Sequence, residues 1–111
     1  MKVDVINVEN GIAKLVLNGS MNVQGACDLE AQFNELVKTT NKMILDLKDV
    51  HFLASRGMRT LVVSARLLRD KGGDMVLVNP QAAVEQVMKT VGIDAIVPIA
   101  PDLNAAIARF R

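Results

Sequence analysis

Val3 and Val5 alternate with Lys2 and Asp4, and a second apolar run spans Ile12 to Leu17. Glu9-Asn10-Gly11 lies between them. Asn-Gly tolerates the positive φ that tight hairpins need, so the pattern predicts two antiparallel strands joined there. Gly19-Ser20-Met21-Asn22 breaks the run. Ala26, Leu29, Phe33, Leu36 and Val37 then recur at helical spacing, with Asp28, Glu30, Glu35 and Lys38 between them. This predicts an amphipathic helix over roughly residues 23–39, with Asn22 as its cap.

Met43 to Leu47 is a short apolar run holding one acid, a candidate buried strand. Met58, Leu61, Val62, Ala65 and Leu68 mark a second helix that starts near Ser55. It stops at Lys71-Gly72-Gly73, a base in the last turn with glycine beyond. Met75-Val76-Leu77-Val78 is continuously apolar, as in a strand covered on both faces. Asn79-Pro80 predicts the cap and first turn of a third helix, whose stripe is Val84, Val87, Met88 and Val91 and whose stop is Gly92. Ala95 to Ile99 reads as a last short strand. Asp102 reads as the cap of a final helix with Leu103, Ala106, Ile107 and Phe110 inward. The order β-β-α-β-α-β-α-β-α predicts an α/β domain with a mixed sheet of about five strands and about four helices. Residues 1–111 read as one domain of this kind.

Half the residues are hydrophobic, enough for a core without disulfides, and the single cysteine, Cys27, excludes an internal one. A net charge of +1 gives no electrostatic case for nucleic acid or a membrane surface. With three Phe and neither Trp nor Tyr, stacking platforms for single strands are lacking too. No secretory leader or spanning segment is legible, so a cytoplasmic location without membrane insertion is expected. The six Met lie mostly on apolar stripes and strands, where they serve as core filler.

Catalytic chemistry finds little support, and the chain is expected not to be an enzyme. The one histidine, His51, falls in the Val50–Leu53 segment, where a solvated or hydrogen-bonded loop histidine is the ordinary role. No Gly-x-Ser-x-Gly elbow, Walker loop or dinucleotide fingerprint exists, and neither a metal nor an organic cofactor is implied. Cys27, next to the stripe position Ala26, reads as a small half-buried hydrophobe. Arg56, Arg59, Arg66, Arg69 and Lys71 fall on the second helix, with Arg59 and Arg66 seven apart and hence on one face. That face is either simply solvated or suited to an acidic protein partner. Ser55 carries two readings. It is an N-cap, or it is a serine whose phosphate would bring roughly −2 charges to the positive end of a helix dipole.

The residues that decide between these readings are Leu45-Asp46-Leu47, Val50-His51-Phe52-Leu53 and Ala54-Ser55-Arg56-Gly57-Met58. With the Gly19–Asn22 turn, Lys71 to Pro80 and Val91-Gly92-Ile93-Asp94, they make the chain resemble STAS domains, the fold of anti-sigma factor antagonists (anti-anti-sigma factors). The resemblance runs nearly end to end. It implies a non-enzymatic protein that binds an anti-sigma factor serine kinase and lets go once the kinase phosphorylates a serine at the position of Ser55. A serine phosphatase would restore the bound form. The implied partner-binding residues are Asn22, Ala54, Ser55, Arg56, Gly57 and Arg59. Several positions depart from the family pattern: Ala54 stands for its Asp, Arg56 for its second Ser/Thr, Asn22 for an Asp and Ser20 for a frequent Glu. Acids are lost near the switch and a base gained, so Arg56 would partly neutralise a phosphate on Ser55. These departures leave open a second reading, a STAS scaffold of stressosome, transporter or lipid-trafficking type that lacks the phosphoswitch.

Overall fold

The computed structural model describes residues 1–110. The expected hairpin forms, with β1 (Lys2–Asn7) antiparallel to β2 (Ala13–Met21) and Val5 opposite Leu15. Asn10 (φ 60°) and Gly11 (φ 73°) both take the left-handed conformation for which Asn-Gly is suited. The chain continues through α1 (Val23–Leu36), β3 (Lys42–Leu53), α2 (Ser55–Asp70), β4 (Asp74–Val78), α3 (Ala82–Thr90), β5 (Ile99–Ala100) and α4 (Leu103–Ala108). β2 to β5 are mutually parallel. The sheet is therefore mixed, in the order β1-β2-β3-β4-β5, as the α/β reading requires.

The strand period of two divides the apolar residues between two layers. Leu15, Leu45 and Leu77 face α1, α2 and α3, meeting Leu29, Phe33, Leu61 and Met88. Ile44, Val76 and Val78 face the other way, beneath α4 and its buried Ala106. Both faces of β4 are covered, which is why its sequence does not alternate. Met21, Met43, Met75 and Met88 are core residues, and Met1 and Met58 pack against the core. Asp46, almost fully buried, accepts the Lys48 N–H at 3.1 Å and lies 3.8 Å from Lys14 Nζ.

Several boundaries differ from expectation. β2 runs on from Leu17 to Met21, and its pairing with β3 absorbs shifts at Val16/Asn18 and Gly19/Ser20. Gly19 (φ 126°) supplies the backbone that the second shift needs. β3 likewise continues past Leu47 to Leu53. Beyond Asp46 it pairs with β2 alone, so one flank is open and its sequence turns polar at Lys48, Asp49 and His51. α1 ends at Leu36, and Thr39 and Thr40 form the turn beyond it. Asn79 is left-handed (φ 56°), and Asn79-Pro80 lie outside any helix; α3 begins at Ala82, with Gln81 at the cap position. In place of a strand over 95–99 there is a 3₁₀ turn at Ile93–Ala95 and a two-residue β5. Cys27 is exposed, because one step past the stripe rotates it away from the sheet.

Candidate functional site

β2 and β3 end side by side, Met21 opposite Leu53, and each strand feeds a helix. The candidate site lies at these carboxyl ends, where open α/β sheets present their loops. The Ala54 N–H donates to the Met21 carbonyl at 3.0 Å and ties the two exits together. Gly57, one of the implied partner-binding residues, is buried beneath the first turn of α2. A Cβ there would collide with Met21 Cγ and stand 2.9 Å from the Met21 carbonyl oxygen. Gly57 therefore serves the site by close packing: it lets α2 begin hard against the end of β2.

The two helix starts are capped differently. Asn22 Oδ1 accepts the Gly25 N–H at 2.9 Å, the expected cap of α1. At α2 the cap position belongs to Ala54 and not to Ser55, and it carries no side-chain cap bond. Ser55 is the first helical residue. It is exposed, and its hydroxyl has no hydrogen-bond partner among the described residues. Of the two readings of Ser55, the N-cap is thus not the role it has.

Arg56 is also placed differently from expectation. Its guanidinium reaches across to α1, with Nη1 2.7 Å from Glu30 Oε1 and Nη2 2.8 Å from Oε2. Nη1 also donates to the Thr60 hydroxyl at 2.6 Å, and that hydroxyl in turn donates to Glu30 at 3.2 Å. Hydrogen bonds from Arg56 hold the Glu30 carboxyl below its ordinary range, and those to Glu30 raise the guanidinium. Arg56 is thus engaged with Glu30 and is not free for a charge on Ser55. Arg59, by contrast, is exposed and shares a shallow groove with Ser55.

Two further groups meet at this end, although nothing in the sequence pairs them. Ser20 Oγ and His51 Nε2 lie 2.8 Å apart on adjacent strands. His51 is on β3 and not in a loop; only the length of that strand, hidden by its polar composition, brings it to Ser20. Val23 and Phe52, 63% and 51% exposed, add apolar surface beside the Asn22 turn and the Ser55 junction. No His/Cys/Asp/Glu group among the described residues could hold a metal, and no helix there is long and apolar enough to cross a membrane.

The profile of the STAS domain matches residues 5–106. The chain belongs to the STAS family. Among its relatives is the anti-sigma factor antagonist BtrV of Bordetella bronchiseptica, 31% identical over 103 residues, covering 92% of this chain and 89% of the relative. The crystal structure of an anti-sigma factor antagonist from Thermotoga maritima superposes with a TM-score of 0.87 at 24% identity, covering 99% of this chain and 93% of the other. The Bacillus cell fate determinant SpoIIAA in its phosphorylated form has a TM-score of 0.73 at 19% identity, covering 99% of this chain and all of that one. By homology this STAS domain falls among the anti-sigma factor antagonists.

Proposed function

We propose that this STAS domain binds a kinase-type anti-sigma factor through the face built from the Asn22 turn, Ser55 and the first turns of α2, and that Ser55 is the phosphoacceptor that releases it. The observation that carries this reading is the state of Ser55: an exposed, unbonded hydroxyl at a helix start with no side-chain cap. A kinase can reach such a hydroxyl without breaking any existing bond. The phosphate oxygens would then face first-turn N–H groups that Ala54 leaves without a side-chain acceptor, at the positive end of the helix dipole. The fold accepts the modification; a partner docked over the same helix start meets a bulky dianion. A serine phosphatase would reverse the effect. The loss of the family's acid at Ala54 thus removes a like charge that the phosphate would otherwise oppose.

The full chain incubated with the host's anti-sigma kinase and ATP should gain one phosphate, located at Ser55 by mass spectrometry and absent in Ser55→Ala. The phosphorylated chain should no longer co-elute with the kinase. A stable kinase complex without phosphate transfer would remove the switch and leave the binding. A chain that ignores the kinase and forms a homo-oligomer by light scattering would favour the scaffold reading instead.

A further inference from the structure

Beside Ser55 a shallow groove of about 500 Å³ runs between α2 and the turn that follows α3. Its floor and walls are apolar, with Val62 on α2 facing Val91 and Ile96 across the trough. Val91 is 58% exposed, leaving apolar surface at the groove that a partner could cover. Arg59 and Arg66 line the α2 side, and no carboxylate is among the lining residues. Arg56 pairs with Glu30 and Arg69 with Asp74, whereas neither Arg59 nor Arg66 has an ion-pair partner among the described residues. The groove therefore presents apolar surface with two arginines on one line, Arg66 and an Arg59 whose charge also acts on Glu30.

We propose that this groove receives an acidic amphipathic helix of the anti-sigma partner, a step that rests on the partner-binding reading above. The partner's apolar stripe lies on Val62, Val91 and Ile96, and its carboxylates meet Arg59 and Arg66. The two arginines are seven residues apart, about 10.5 Å along the helix axis at 1.5 Å per residue. Carboxylates two turns apart on a partner helix have the same separation, with apolar residues at the intervening i+3 and i+4 positions. A fatty acid has a single carboxylate, so it would satisfy one arginine and leave the other. Ser55 lies on the same helix face, one turn before Arg59, and also lines the groove. A phosphate there draws in Arg59 and repels the partner's carboxylates, so the switch acts on the groove and not only on the helix start.

Titration calorimetry of the full chain with the host's anti-sigma kinase tests the groove. Arg66→Glu and Val91→Asp, both at exposed positions, should each weaken binding at least tenfold, while Arg109→Glu, outside the groove, should leave it unchanged. Wild-type binding with both groove variants equally tight would overturn the groove and spare the partner-binding reading. No binding by the wild type would overturn both. Should a variant misfold, the methyl NMR signals of Val62, Val91 and Ile96 in the wild type decide: they should shift on adding the kinase, and unmoved signals in a formed complex overturn the proposal. The same signals shifting with oleate, or with the chain's own concentration, while staying fixed in the kinase complex, would assign the groove to an amphiphile or to a second copy and overturn the helix.

Discussion

Arg56 and Glu30 form a two-pronged ion pair, at 2.7 and 2.8 Å, that fastens the first turn of α2 to the middle of α1. The residues are 26 positions apart in sequence, and Thr60 completes the cluster from one turn further along α2. The pair holds the start of α2, and hence Ser55, in a fixed position relative to α1. Its two side chains are each about one-third exposed, so solvent screens the attraction and its chief effect is orientation.

The first prediction concerns pH. The folded state lowers the Glu30 carboxyl below its ordinary 4.5, so folding favours the ionised form. The stabilisation is complete above that ordinary value and is lost as pH falls through the lowered one. Asp28, also lowered, by the N-terminal amine and Gln24, acts in the same direction. Denaturant unfolding of the wild type from pH 7 to pH 3 should show stability falling in this acid window. Glu30→Gln should flatten part of the fall; identical pH slopes for the two proteins would contradict the pair.

Ala54→Asp places a capping oxygen at a position that already has extended cap geometry and lacks one. It should stabilise the fold by about 1 kcal/mol, the usual worth of a good N-cap. The readout is a higher denaturant midpoint with an unchanged m-value.

Asn22→Ala removes the bond to the Gly25 N–H and should cost about 1 kcal/mol. Asn22→Asp keeps an acceptor at the same distance and should recover most of that loss. Thermal unfolding of the three proteins side by side distinguishes the cap from a general surface effect.

Gly57→Ala forces a methyl group against Met21. Overpacking of this kind should destabilise by roughly 1–3 kcal/mol. It should also displace the start of α2, so phosphate transfer to Ser55 should slow more than global unfolding alone explains. Kinase assays well below the unfolding midpoint measure that difference.

Legibility in the sequence followed the range of the interaction. The Asn10-Gly11 hairpin, the Asn22 and Asp102 caps and the Gly72-Gly73 stop are encoded by neighbouring residues, and all lie where the sequence places them. The end of β3 was hidden because its second half has one paired flank and an exposed face, which gives it a loop's composition. Asn79-Pro80 carries a helix-start pattern, yet Asn79 is left-handed and the helix begins only at Ala82, a conformation that local composition does not fix. At the site, Ser55 and the Arg59–Arg66 spacing were legible. The opposite wall at Val91 and Ile96, the Glu30 clamp and the Ser20–His51 contact were not, since each joins distant stretches that only the tertiary fold brings together.

The strands lie in the sheet in the order in which they occur along the chain. As the polypeptide leaves the ribosome, each new strand finds its neighbour already made, and no edge waits on a segment synthesised much later. Loop closures stay short, which favours fast folding. Ser55 and its supports Met21, Glu30 and Gly57 all belong to the first-synthesised stretch, whereas Val91 and Ile96 arrive near the end. Ser55, the proposed phosphoacceptor, can therefore take its place before the groove beside it has a second wall, so a nascent chain would present that serine before it presents the finished groove.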